Sequence, residues 1–202
     1  MKSTNSRSWK LITIWTLVII LLIVAGLFVF SLLGSSVTKN LDTYTYSLPF
    51  EEGTKHRIVQ GYGGLFSHKN IAALDFAMPA GTPVCAARDG IIFLFKDDSD
   101  EGGPFPNYKR KANFIIVKHH DGSFGCYWHL KYKGVVVKNG SVKRGQLIGY
   151  SGSTGFVLRP HLHFSVKRKL NYDMDSFLKT KFETTSGIEL LKRGHLYERP
   201  EH

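Results

Sequence analysis

The chain has 202 residues, 27 Lys and Arg against 16 Asp and Glu, and a formal charge of +11. That length is enough for one domain with a real core. Its two cysteines exclude a disulfide framework, and no C-x-x-C pair is present.

From Leu11 to Thr38 there is no Asp, Glu, Lys or Arg, and "LITIWTLVIILLIVAGLFVF" lies within that stretch. A helix needs about 20 apolar residues to cross a bilayer. The apolar region of a cleavable signal peptide is shorter, roughly 7–15 residues, and ends at a small-residue site; the nearest such stretch here is Gly34-Ser35-Ser36. The run therefore reads as an uncleaved transmembrane signal-anchor over 11–34. Lys2, Arg7 and Lys10 precede it without any acid, which places residues 1–10 in the cytoplasm and the rest outside. That topology excludes most cytoplasmic functions. It also argues against nucleic acid as the partner of the basic clusters 109–111 and 167–169, which lack an interleaved aromatic platform. An anionic envelope polymer, a lipid surface or plain solvation suits them better.

Residues 35–47, "SSVTKNLDTYTYS", are small and polar and read as a linker. From 48 to 185 short apolar runs alternate with glycine turns. "TPVCAA" and "GIIFLF" flank Asp89-Gly90, and "NFIIVKHH" and "SFGCYWHL" flank Asp121-Gly122, a hairpin pattern. "GVVVKNGSVKRGQLIGYSG" and "HLHFSVKR" add further strands. The fold class expected is mainly β, an antiparallel sandwich or partly open barrel of short strands, preceded by the one membrane helix. "DDSDEGGPFPNYKRK" (97–111) reads as an exposed loop, and 186–202 as a C-terminal extension ending in a tail. Cys85 and Cys126 sit in strand-like stretches; an oxidising compartment permits their pairing, and buried free thiols are an equal expectation.

In "RPHLHFSV", His161 and His163 are two residues apart on a strand, so both imidazoles face one way. Neutral imidazole is a common zinc ligand, but an isolated H-x-H is more often surface polarity. Asp75 lies in a stretch apolar from Ile71 to Pro79, seven positions after His68. A buried carboxylate needs a partner, and a cation would be one. His129 ends the second strand of the hairpin. There is no H-E-x-x-H helix, so the glutamate base of that class is missing and a histidine must do its work.

Taken in order, "SHKNIAALDFAMPAGTPVCAARDGII", "YWHLK", "VKRGQLIGYSGSTG" and "PHLHFSV" resemble the lysostaphin/LytM-type zinc metallopeptidases, bacterial cell-wall endopeptidases. The resemblance covers about 60–170. It implies one zinc ion per chain held by His68, Asp75 and His163, with His129 and His161 as catalytic histidines. It implies peptidoglycan stem peptides or cross-bridges as substrate, for an enzyme on the outer side of the cell membrane. The best-known members have three residues between the first histidine and the aspartate; here there are six, and His56, His119 and His120 are the substitutes for His68. The last two precede a tight turn and are expected on the surface. Non-catalytic wall-binding or regulatory modules of this type have lost metal ligands, whereas all five positions are filled here. A plain structural β-domain on a stalk is the third reading.

Overall fold

A computed structural model describes residues 5–32, 40–64, 67–171 and 176–201. Contacts divide the chain into two units, one ending at Ser36 and the other starting at Val37. In the first, the apolar run forms the helix Asn5–Leu32. Among the described residues no helix is long and apolar enough to cross a membrane, so the expected transmembrane segment is not borne out there. Residues 1–4 and 33–39, parts of the expected N-terminus, anchor and linker, lie outside the described residues.

The second unit is mainly β and antiparallel, as expected, and does not close into a barrel. Its large sheet runs from Ser141–Val142 through Gly90–Lys96, Phe114–Lys118, Phe124–Trp128, Leu162–Lys167, Ala73–Phe76 and Lys55–Gln60 to Leu196–Glu198. The expected hairpin is present: Phe114–Lys118 pairs with Phe124–Trp128, and Gly122 turns the chain at φ +82°, where a side chain would be strained. A separate three-stranded sheet places Leu147–Ser151 between Pro83–Cys85 and Leu130–Val135, antiparallel to both.

Alternation along Leu162–Lys167 sets the division of labour. Leu162, Phe164 and Val166 are buried in one cluster with Leu74, Phe76, Tyr127 and Phe182. His163 and Ser165 take the opposite face by the period of two. Burying one large apolar side chain contributes about 1.5–3 kcal/mol, so a slip of one residue, which would exchange the two faces, is strongly opposed.

Three expectations need correction. Residues 41–47, read as linker, form the strand Leu41–Ser47, parallel to Phe177–Thr184. Tyr46 is fully buried, and its hydroxyl donates to Asp42 at 2.8 Å, so the folded unit begins before 48. The C-terminal extension is paired into the fold, and its expected tail starts inside a strand: Gly187–Glu189 pairs with Phe177–Thr184, and Leu196–Glu198 pairs with Lys55–Gln60. His119 is buried rather than exposed, donating from Nδ1 to the Asp89 carbonyl at 2.8 Å; His120 is exposed. Cys85 and Cys126 are both buried free thiols.

Candidate active site and metal centre

Asp75 and His163 are direct cross-strand partners on adjacent antiparallel strands. Trp128 faces His163 from the other side and Gln60 faces Asp75. Four neighbouring strands of the large sheet thus contribute to one row of side chains. His68 arrives from the loop after Lys55–Gln60 and is fully buried.

His68 Nε2 lies 3.1 Å from Asp75 Oδ1 and 3.1 Å from His163 Nδ1, and His163 Nδ1 lies 2.9 Å from Asp75 Oδ1. These three atoms form a triangle of a size close to one face of a zinc tetrahedron, whose edge is about 3.3 Å for bonds of about 2.0–2.1 Å. The donor chemistry fits a divalent cation. A carbonyl can only accept, so His68 Nδ1, 3.1 Å from the Gly61 carbonyl, is the protonated nitrogen. That bond points Nε2 towards a carboxylate and a second imidazole. His68, Asp75 and His163 form a group able to hold a metal ion. Burial pushes the Asp75 carboxyl up, but the bonds from His163 and His68 outweigh it and hold it well below the usual carboxylate range. Burial lowers His163, partly offset by Asp75. Both shifts favour the deprotonated, metal-binding forms. Gln60 Nε2 donates to Asp75 Oδ2 at 3.3 Å and to Ser67 Oγ at 2.6 Å, which fixes the carboxylate from behind.

His129 and His161 stand beside this trio. Their ring centroids are 4.7 Å apart, and His161 Nε2 is 3.6 Å from Asp75 Oδ1. Each donates from Nδ1 to a backbone carbonyl, His129 to Thr154 and His161 to Arg159, both at 2.8 Å. Nδ1 is thereby the donor in both rings, which leaves Nε2 facing the cleft side of each. Burial, then His161 and His163, push the His129 imidazole down to about 3, which keeps it an acceptor at neutral pH. Its backbone has φ +67°, a sparsely populated conformation for a residue with a side chain. His129 is the single residue between Phe124–Trp128 of the large sheet and Leu130–Val135 of the small one, so this strained corner is what turns its ring to the metal side.

The histidines open onto a cleft of about 660 Å³ lined by Trp128, Phe156, Val157, Leu158 and Pro160 among others. The loop 97–111 edges it through Lys109, and Trp128 packs on Phe114 with centroids 4.5 Å apart. Tyr62 and Tyr127 face inward: Tyr62 bonds to Thr180, and the Tyr127 hydroxyl accepts from the Ala87 amide. His56, the other substitute for His68, donates to the Ala77 carbonyl and packs on Phe50. Gln60 and Arg193, both at the site, carried no pattern that sequence reasoning could have used.

The peptidase family M23 model matches residues 69–175, more than half of the chain and starting one residue after His68. The chain belongs to peptidase family M23. Its relatives include the peptidoglycan DD-endopeptidase ShyA of Vibrio cholerae, 38% identical over 92 residues, 46% of this chain and 19% of that protein. The DD-carboxypeptidase/endopeptidase Mpg of Neisseria meningitidis is 36% identical over 94 residues, again 46% and 19%. The chain thus spans about a fifth of the length of these curated relatives. Among solved structures, the catalytic domain of the antimicrobial peptidase lysostaphin from Staphylococcus simulans is 31% identical, with 61% of this chain and 86% of that one covered and a TM-score of 0.45.

Proposed function

We propose that this chain is a membrane-anchored zinc endopeptidase that hydrolyses amide bonds in peptidoglycan stem peptides or cross-bridges. The observation that carries the reading is the convergence of His68 Nε2, Asp75 Oδ1 and His163 Nδ1 within 3.1 Å of one another, beside two further imidazoles held through Nδ1 by backbone carbonyls. Three protein ligands with an open fourth position is the catalytic pattern for zinc, whereas structural sites are closed by four. Zinc bound there supplies Lewis acidity, polarising the scissile carbonyl and acidifying water.

The chain's own residues do the rest. Asp75, His68 and His163 hold the ion, and Gln60 orients the carboxylate. His129 and His161 share the proton work: one accepts the proton of the attacking water at Nε2, and the other hydrogen-bonds the developing oxyanion or delivers a proton to the leaving amine. The C–N bond breaks, and the peptide leaves as a free carboxylate and a free amine. Trp128 and the apolar cleft wall exclude water from one side of the substrate.

Anchoring rests on the sequence: the uncharged run from Leu11 to Thr38 and the three cations before it support a single span with the β unit facing the periplasm or cell exterior. The wall is the substrate within reach of a unit tethered there, and the names of the relatives accord with it.

The test uses the full chain in detergent. Metal content is measured, followed by peptide release from purified peptidoglycan. One zinc per chain and release of new amino termini are expected. A zinc-loaded chain that binds the wall and cleaves no preparation of it would replace this reading with the wall-binding module.

A further inference from the structure

Three cations from three separate segments line the cleft: Lys109 on the turn Pro106–Lys111, Arg159 in the loop before His161, and Arg193 in the C-terminal stretch. All three are exposed. None enters an ion pair among the described residues, where eight other Lys and Arg side chains do. Lys109 Nζ lies 6.0 Å from the centroid of the Phe156 ring. Among the described residues, the one carboxylate lining the same cleft is Asp75, which His68 and His163 already engage. Against a largely apolar floor, the described rim therefore offers positive charge that no described carboxylate neutralises.

Arg193 is held there by backbone. The Gly194 amide donates to the Ile58 carbonyl at 2.8 Å, and the Ile58 amide donates to the His195 carbonyl at 3.0 Å. Gly194 turns the chain at φ +87°. A Cβ on Gly61 would stand 3.5 Å from the Arg193 nitrogen, so the two segments are in contact. Gly61 is the residue whose carbonyl fixes His68. The C-terminal stretch, outside the part matched by the family model, thus forms one wall of the cleft and backs a metal ligand.

Like charges around a cleft with low-dielectric walls focus their field on its interior and raise the local concentration of an anion. An anionic group docked among them is within the screening length, about 8 Å at physiological salt, and can accept charge-assisted hydrogen bonds. We propose that this rim selects peptides carrying a free carboxylate close to the scissile bond over their amidated counterparts. The proposal rests on the reading of the cleft as a peptidase site and adds the chemical class of peptide it prefers.

The probe is one preparation of peptidoglycan-derived cross-linked peptides in two forms, with free carboxyls or with the carboxyls converted to methylamides. The zinc-loaded full chain in detergent is assayed on both. KM for the carboxylate form should be lower by about tenfold, with kcat similar and the gap shrinking as salt rises. Arg193→Gln together with Lys109→Gln should raise KM for the carboxylate form by about five- to tenfold. The same pair should leave the methylamide form within about twofold. Arg193→Lys should recover part of the preference. Equal KM values for the two forms in the parent, or an equal loss on both forms in the double variant, would overturn the proposal. Equilibrium binding of the two forms is measured as well. A chain that cleaves neither form yet binds the carboxylate form more tightly keeps the anion preference and removes the peptidase reading; one that cleaves both with no preference does the reverse.

Discussion

Asp75 Oδ1 and His163 Nδ1 are 2.9 Å apart across a register pair of two antiparallel strands, so the sheet itself sets their separation. His161, two residues along, has only its 3.6 Å approach to the same oxygen. The two histidines should therefore separate on mutation. His163→Ala is expected to lose bound zinc and all turnover. His161→Ala is expected to keep zinc and lose about 10²–10⁴-fold in kcat, the usual worth of positioned proton transfer. Metal analysis of both variants beside a peptide-release assay checks this. Loss of metal from His161→Ala would make it a ligand and reassign the site.

Gln60 touches no proposed ligand atom other than the Asp75 carboxylate, through Oδ2. Groups that orient a metal-binding side chain typically contribute about 10–100-fold in metal affinity. Gln60→Leu should raise the zinc dissociation constant within that range while thermal stability without metal changes little. A chelator competition titration measures it, and Gln60→Glu tests whether the hydrogen-bond donor is what matters.

The buried ring of His119 supplies a dependence of stability on pH. Burial, aided by Arg88, pushes its imidazole below 6.5; the bond to the Asp89 carbonyl, with Asp121 and Asp42 nearby, opposes that without reversing it. Its Nε2 has no hydrogen-bond partner among the described residues. The unfolded chain takes up the proton near pH 6.5 and the folded chain only at lower pH. The stability it contributes is thus complete above about 6.5 and is lost as pH falls towards the folded value. Tm should drop between about pH 7.5 and 5.5. His119→Asn, which can keep the donor to Asp89, should flatten that slope in calorimetry. An unchanged slope would assign it to the other histidines lowered by burial, such as His56.

The strand Leu41–Ser47 predicts where the β unit can be cut. A chain beginning at Val37 should unfold cooperatively in a thermal scan. A chain beginning at Leu48 loses Tyr46, whose ring packs on Phe164 and Phe182 with centroids 6.4 and 6.2 Å away. Removing a buried ring of that size costs about 3–5 kcal/mol, so the shorter chain should melt far lower or show no cooperative transition. Equal melting curves for the two would reduce the strand to an accessory.

The central sheet was legible because its information is local. Alternation in "HLHFSV" assigns faces without any knowledge of neighbours, and Asp121-Gly122 marks its turn by backbone chemistry alone. The strand at 41–47 was hidden because "LDTYTYS" is polar in composition, and its burial comes from a parallel partner about 140 residues away in sequence. His119 looked exposed for the related reason that it borders a turn. It is covered because Gly125 lacks a side chain: a Cβ there would sit 2.9 Å from its Nε2. Arg193 stands outside any periodic segment, and its place at the cleft follows from the pairing of Leu196–Glu198 with Lys55–Gln60. The wide gap between His68 and Asp75 proved harmless, since a loop returns the ring to a carboxylate fixed on a strand.

The corner at His129 divides the site mechanically. Its ring rides on backbone passing between two sheets, whereas Asp75 and His163 belong wholly to one. A shear of the lesser sheet would move that ring and leave the Asp75–His163 pair in register.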